Sequence, residues 1–93
     1  MEESKMIEKS YTIIDEAGIH ARPSTALVKA VTPFTSEVTL EYKEKQVNLK
    51  SIMGVMSLGI PTGAIVKVIA KGDDASQVIE KLDEVMQQEG LAK

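Results

Sequence analysis

Residues 64–90, AIVKVIAKGDDASQVIEKLDEVMQQEG, carry two hydrophobic periods joined by a turn. In the first, Val66, Val68 and Ala70 alternate with Lys67 and Lys71, the period of two that marks a strand with one buried face. Gly72-Asp73-Asp74 ends it and places acidic residues at a helix start. Over 75–89 the period lengthens, and Val78, Ile79, Leu82, Val85 and Met86 form one stripe of an amphipathic helix that Gly90 stops. A one-faced strand and a one-stripe helix must each bury their apolar side against another element.

The same grammar extends upstream. Residues 10–15 place Tyr11 and Ile13 on one face of a short strand, which Ala17-Gly18 breaks. Residues 21–32 set Ala26, Leu27, Ala30 and Val31 at helical spacing. Pro23 is tolerated in the first turn, and Pro33 closes the segment. In 37–42, Val38, Leu40 and Tyr42 alternate with Glu37, Thr39 and Glu41, a half-buried strand. Lys43-Glu44-Lys45 reads as a charged turn, with 46–48 pairing back as a hairpin. Residues 51–58 are a short helix opened by Ser51 as N-cap, and Pro61-Thr62-Gly63 is a turn. The order is βαββαβα. It predicts an α+β open-faced β-sandwich, a four-stranded antiparallel sheet covered on one face by three helices. One domain is expected over 1–93, with 1–8 a frayed extension.

Composition narrows the chemistry. The chain has no cysteine, which removes disulfides, thiolate metal sites and a cysteine nucleophile. It has one histidine, so a two-histidine metal site cannot form, and no metal or cofactor is expected. No Walker loop, Gly-x-Gly-x-x-Gly or Gly-x-Ser-x-Gly is present, so the chain has no visible means of binding ATP or of building a serine hydrolase. Residues 17–72 carry seven bases and three acids, whereas both flanks are acidic. That basic middle suits an acidic partner surface or a phosphate. Direct nucleic-acid binding is not expected, because aromatics are 3% and the bases are dispersed. Apolar runs are too short for a membrane helix and no secretory segment is recognisable, so a cytoplasmic monomer is the expectation.

The lone histidine, His20, falls where the first strand ends and the first helix begins. Such a residue can be an ordinary surface side chain or a cap. Its neighbourhood gives it more. A helix start presents unpartnered backbone N–H groups and the positive end of the helix dipole, a setting for phosphate. A neutral imidazole there offers a ring nitrogen as nucleophile. Arg22 supplies a charged contact, and Pro23 fixes the turn.

These residues carry a resemblance. Gly18-Ile19-His20-Ala21-Arg22-Pro23 resembles the active-site signature of the HPr family, the histidine-containing phosphocarriers of the bacterial sugar phosphotransferase system. Asn48-Leu49-Lys50-Ser51-Ile52-Met53-Gly54-Val55-Met56-Ser57-Leu58-Gly59 resembles the regulatory-serine region of HPr from low-GC Gram-positive bacteria, at matching separation. The resemblance implies that His20 accepts a phosphoryl group on Nδ1 from enzyme I and passes it to the IIA domains of sugar permeases. Arg22 would stabilise the moving group, and the amides of Ala21 and Arg22 would cradle it. Ser51 would be phosphorylated by HPr kinase/phosphorylase, making the chain a corepressor for the catabolite control protein. It would be a covalent relay rather than an independent enzyme.

The short helix has two apolar stripes, and a helix on a sheet buries only one. Val55 and Leu58 are expected inward, with Ile52, Met53 and Met56 as an adaptable docking face ringed by Lys29, Lys45 and Lys50. Ser24 stands where many members have alanine, in the first helical turn. The alternative is a regulatory HPr-like module that binds partners without carrying histidyl phosphate. A relative with the serine but not the histidine is known in the family, and the presence of His20 argues against that reading.

Overall fold

The computed structural model describes residues 5–93. Its elements are β1 (Met6–Thr12), α1 (Ala21–Val31), β2 (Glu37–Tyr42), β3 (Lys45–Asn48), α2 (Ile52–Ser57), β4 (Ile65–Lys71) and α3 (Ala75–Gln88). The strands form one antiparallel sheet in the order β1-β4-β2-β3, so the chain crosses over to insert β4 between β1 and β2. The open-faced α+β sandwich read from periodicity is the fold of the molecule. Val38, Leu40, Val66, Val68 and Ala70 point to the helical side and are buried. Against them lie Leu27 and Val31 of α1, Val55 of α2, and Val78, Leu82 and Met86 of α3.

The first strand departs from expectation. It begins at Met6, not at Ser10, and Met6–Glu8 pair with Lys71, Ala70 and Ile69. Of the extension expected to fray, 6–8 are therefore strand, and 1–4 lie outside the described residues. The inward alternation runs Ile7, Lys9, Tyr11, and Lys9 interrupts its apolar signature. That lysine is satisfied by an ion pair: its Nζ lies 2.7 Å from Asp83 Oδ1 on α3. The Tyr11 hydroxyl donates to the same oxygen at 2.7 Å. Burial, and then this bond to Asp83, push the phenol above its usual range, so it remains a neutral donor. The strand also ends early. Ile13 leaves β4 and bridges to Ala92, where the buried Leu91-Ala92 tail folds back after Gly90. The hairpin turn is tighter than read. Lys43 and Glu44 alone make it, both at positive φ, and Lys45 already pairs with Tyr42.

Asp74 ties the end of the first helical layer to the third helix. It accepts from the amides of Thr35 and Ser36 at 2.9 and 3.0 Å and from both hydroxyls, that of Ser36 being buried. The Ser36 hydroxyl, followed by the Thr35 amide, lowers this carboxyl from 3.8 to about 2. Since the folded value is depressed, the stability it contributes is present above the ordinary value near 3.8 and disappears as pH falls towards 2. Acid unfolding of Asp74→Asn, followed in urea, is expected to lose this part of the pH dependence, and an unchanged profile would refute the linkage.

Candidate functional site

The loop into α1 is held from two sides. Asp15 accepts from the Ala17 amide through Oδ1 at 2.9 Å, and its carbonyl accepts from the Gly18 amide at 2.9 Å. Gly18 sits at φ +71°, where a Cβ would overlap the Ile60 carbonyl oxygen, so glycine is required on both counts. The Ile19 amide then donates to that same carbonyl at 2.9 Å, and its side chain is buried. His20 leaves this clamp in extended backbone, φ −118° and ψ −164°, as the N-cap of α1.

The His20 side chain is exposed and makes no capping bond. Its carbonyl accepts the first helical bond, from the Ser24 amide at 3.0 Å, and also the Ser24 hydroxyl at 2.6 Å. Pro23 has no N–H. The amides of Ala21 and Arg22 have no partner among the described residues. His20, Arg22, Pro23, Asp15 and Glu89 line a small cleft of about 140 Å³. His20 and Arg22 thus share one cleft at a helix start whose first two amides are unpartnered among the described residues, an arrangement that can receive a phosphoryl group.

Asp15 and Glu89 were not singled out in the sequence. Glu89 reaches the cleft because Gly90, at φ +61°, turns the chain, and the Ile14 and Asp15 amides bond the Leu91 carbonyl at 2.8 and 3.2 Å. The apolar Leu91-Ala92 after a helix-stopping glycine was the available signal. Among the described residues, no cluster of histidine, aspartate or glutamate is placed to hold a metal ion.

Ser51 lies on a second element. It is half-buried and is the N-cap of α2, with Oγ accepting from the Gly54 amide at 3.1 Å. Val55 is fully buried and Leu58 half-buried, whereas Ile52, Met53 and Met56 are 39%, 82% and 44% exposed. Lys29 and Lys45 are exposed. Lys50 is half-buried, with its Nζ donating to the Phe34 carbonyl at 2.7 Å. α2 packs against α1, the helix that begins at His20.

Comparison with known proteins bears on this geometry. The family profile described as "PTS-HPr: PTS HPr component phosphorylation site" matches residues 7–88. The histidine-containing phosphocarrier protein of Mycoplasma is 40% identical, with a TM-score of 0.91 over 94% of this chain and 99% of that one. Phosphocarrier protein HPr from Bacillus anthracis is 35% identical, with a TM-score of 0.79 over 86% and 95%. Crh, the Bacillus subtilis catabolite repression containing protein, described as a domain-swapped dimer, is 46% identical, with a TM-score of 0.70 over 80% and 85%.

Proposed function

The chain belongs to the HPr family of phosphocarrier proteins, and from that premise we propose that it relays phosphoryl groups from enzyme I to the IIA domains of sugar permeases through His20. In the forward step the N–P bond of a donor phosphohistidine breaks as a new bond forms to Nδ1 of His20, and the donor imidazole departs with the electron pair. The second step repeats this chemistry towards an acceptor histidine. A loose transition state spreads charge over the three equatorial oxygens, so the site's task is positioning and electrostatics. The amides of Ala21 and Arg22 hold two oxygens, and the Arg22 guanidinium faces the remaining charge. The observation that carries this reading is an exposed imidazole and an arginine sharing one cleft, at a helix start whose first two amides are unpartnered among the described residues. The test is incubation with enzyme I and phosphoenolpyruvate. One acid-labile phosphoryl group per chain is expected.

Arg22→Ala is expected to slow transfer about 10- to 100-fold, the value of a hydrogen bond to a charged group, with a smaller change in docking affinity. Rapid-quench measurement within the bound complex separates the two. A loss confined to affinity would contradict the role.

Ser51 is the proposed regulatory site, phosphorylated by HPr kinase/phosphorylase to make a corepressor for the catabolite control protein. Its exposed neighbours Ile52, Met53 and Met56 supply the docking face. The protein is taken to act as a cytoplasmic monomer, a covalent relay without catalysis of its own. Among the described residues no helix is long and apolar enough to cross a membrane. The similarity to Crh favours a second reading, a regulatory module that never carries histidyl phosphate. The absence of acid-labile phosphate in the enzyme I assay would decide for it.

A further inference from the structure

We propose that Ser24 and Thr25 are positioning residues, each strengthening one of the two backbone amides that face the phosphoryl group on His20. This rests on the phosphocarrier reading above. A peptide group is one delocalised unit, so a donor on its oxygen draws electron density and makes its N–H a stronger donor. The N–H of the His20–Ala21 peptide, beside the cleft residues His20 and Arg22, has no partner among the described residues. The oxygen of this peptide receives two donors from Ser24, the amide at 3.0 Å and the hydroxyl at 2.6 Å. The next peptide, Ala21–Arg22, carries the second such amide. Its oxygen receives the Thr25 hydroxyl at 2.9 Å. Two consecutive hydroxyls thus sit behind two consecutive amides, one for each.

Hydroxyl bonds to the carbonyl four residues back are common in helices and usually cost a little helix stability. Position changes their consequence here. Further along a helix, an N–H strengthened in this way would spend its gain on another helical carbonyl. Among the described residues the amides of Ala21 and Arg22 have no such acceptor, so the added polarity is available to the bound anion. Pro23 contributes no N–H, which confines the backbone donors of this turn to the two that the hydroxyls serve. The two residues are not equivalent. Ser24 is fully buried, so water cannot replace its hydroxyl once it is removed. Thr25 is exposed, and water can stand in. Ser24 therefore carries the larger effect.

The consequence is thermodynamic. Stronger amide donors stabilise the dianionic phosphoryl group on His20 relative to the same group on its donor. Removing one hydroxyl moves the exchange equilibrium back towards the donor. Cooperative strengthening of a charge-assisted bond by roughly 10–30% corresponds to a shift of about 1.5- to 4-fold.

The test uses the full chain as Ser24→Ala and Thr25→Ala, read by amide proton and nitrogen shifts and by the phosphoryl-exchange equilibrium with enzyme I. Ser24→Ala is expected to move the Ala21 amide proton upfield, and Thr25→Ala that of Arg22, with each leaving the other amide nearly in place. The exchange equilibrium moves towards enzyme I about 1.5- to 4-fold in Ser24→Ala and less in Thr25→Ala. A merely structural role would not give this crossed pattern. If both variants move the same amides, or neither moves its own, or the equilibrium is unchanged while phosphohistidine forms normally, the proposal is overturned. If the parent chain itself forms no phosphohistidine, the carrier reading fails, and the crossed shifts in the unphosphorylated protein still decide whether the hydroxyls polarise these amides.

Discussion

His20→Ala is expected to abolish acid-labile phosphate uptake from enzyme I while leaving the fold unchanged. The two halves of this result have separate causes. The imidazole is exposed and bonds nothing in the first turn of α1, so its removal breaks no contact that holds the helix. The part of His20 that closes the first turn is its backbone carbonyl, which accepts from Ser24, and alanine retains it. Stability within about 0.5 kcal/mol of the parent is therefore expected in urea unfolding. The chemistry has no such reserve. The chain has no second histidine and no cysteine, and the groups around the cleft are carboxylates and a guanidinium. A guanidinium has no free electron pair for attack, and a carboxylate would give an acyl phosphate rather than the phosphoramidate that the relay passes on. Arg22 and the two amides would still bind an anion, so inorganic phosphate affinity can survive where covalent uptake does not. Mass measurement before and after acid treatment checks the outcome. Stoichiometric acid-labile phosphate on the variant would sink the assignment.

The sequence was most legible where one physical signal acted alone. The alternation of Val66, Val68 and Ala70 and the stripe from Val78 to Met86 are uninterrupted, and β4 and α3 fall within a residue of their expected bounds. The start of β1 was hidden because Lys9 occupies an inward register position. That lysine stays exposed and reaches Asp83 on α3, beside the Tyr11 hydroxyl on the same carboxylate. Local patterning cannot anticipate a partner so distant in the chain. The site divides along the same line. His20, Ala21, Arg22 and Pro23 are contiguous, so the helix-start geometry follows from their order. Asp15 reaches the cleft through its bonds to Ala17 and Gly18, and Glu89 joins because Leu91-Ala92 docks back against Ile13 and Ile14. Ser24 was visible as a departure from the family pattern. Its two bonds to the His20 carbonyl required coordinates.

Phosphorylation of Ser51 is expected to weaken enzyme I binding about 100- to 1000-fold at low salt, without refolding the chain. As the N-cap of α2, Ser51 already directs Oγ at the Gly54 amide, 3.1 Å away. A phosphate there meets unpartnered N–H groups and the positive end of the helix dipole, so α2 is kept or tightened. The surface changes instead. A charge of about −1.5 to −2 appears beside Ile52, Met53 and Met56, which are exposed to a partner. The middle of the chain, basic before modification, then presents a negative centre on its most apolar exposed face. An enzyme I surface that is acidic where it meets this basic middle would be repelled, since like charges brought together cost several kcal/mol, each ~1.4 kcal/mol being tenfold in affinity. A basic repressor surface would be attracted by the same change. Since exposed charges are screened beyond about 8–10 Å at physiological ionic strength, the loss must shrink as salt rises. Ser51→Asp, with less charge and fewer oxygens, should show a weaker form of the same dependence. Calorimetric affinities of both forms for enzyme I at low and high salt, with amide spectra to follow the fold, check each part. Equal affinities at low salt would remove the electrostatic account. Shifts spread across the sheet, rather than confined to α2 and its neighbours in α1, would show that the phosphate acts by refolding the chain instead.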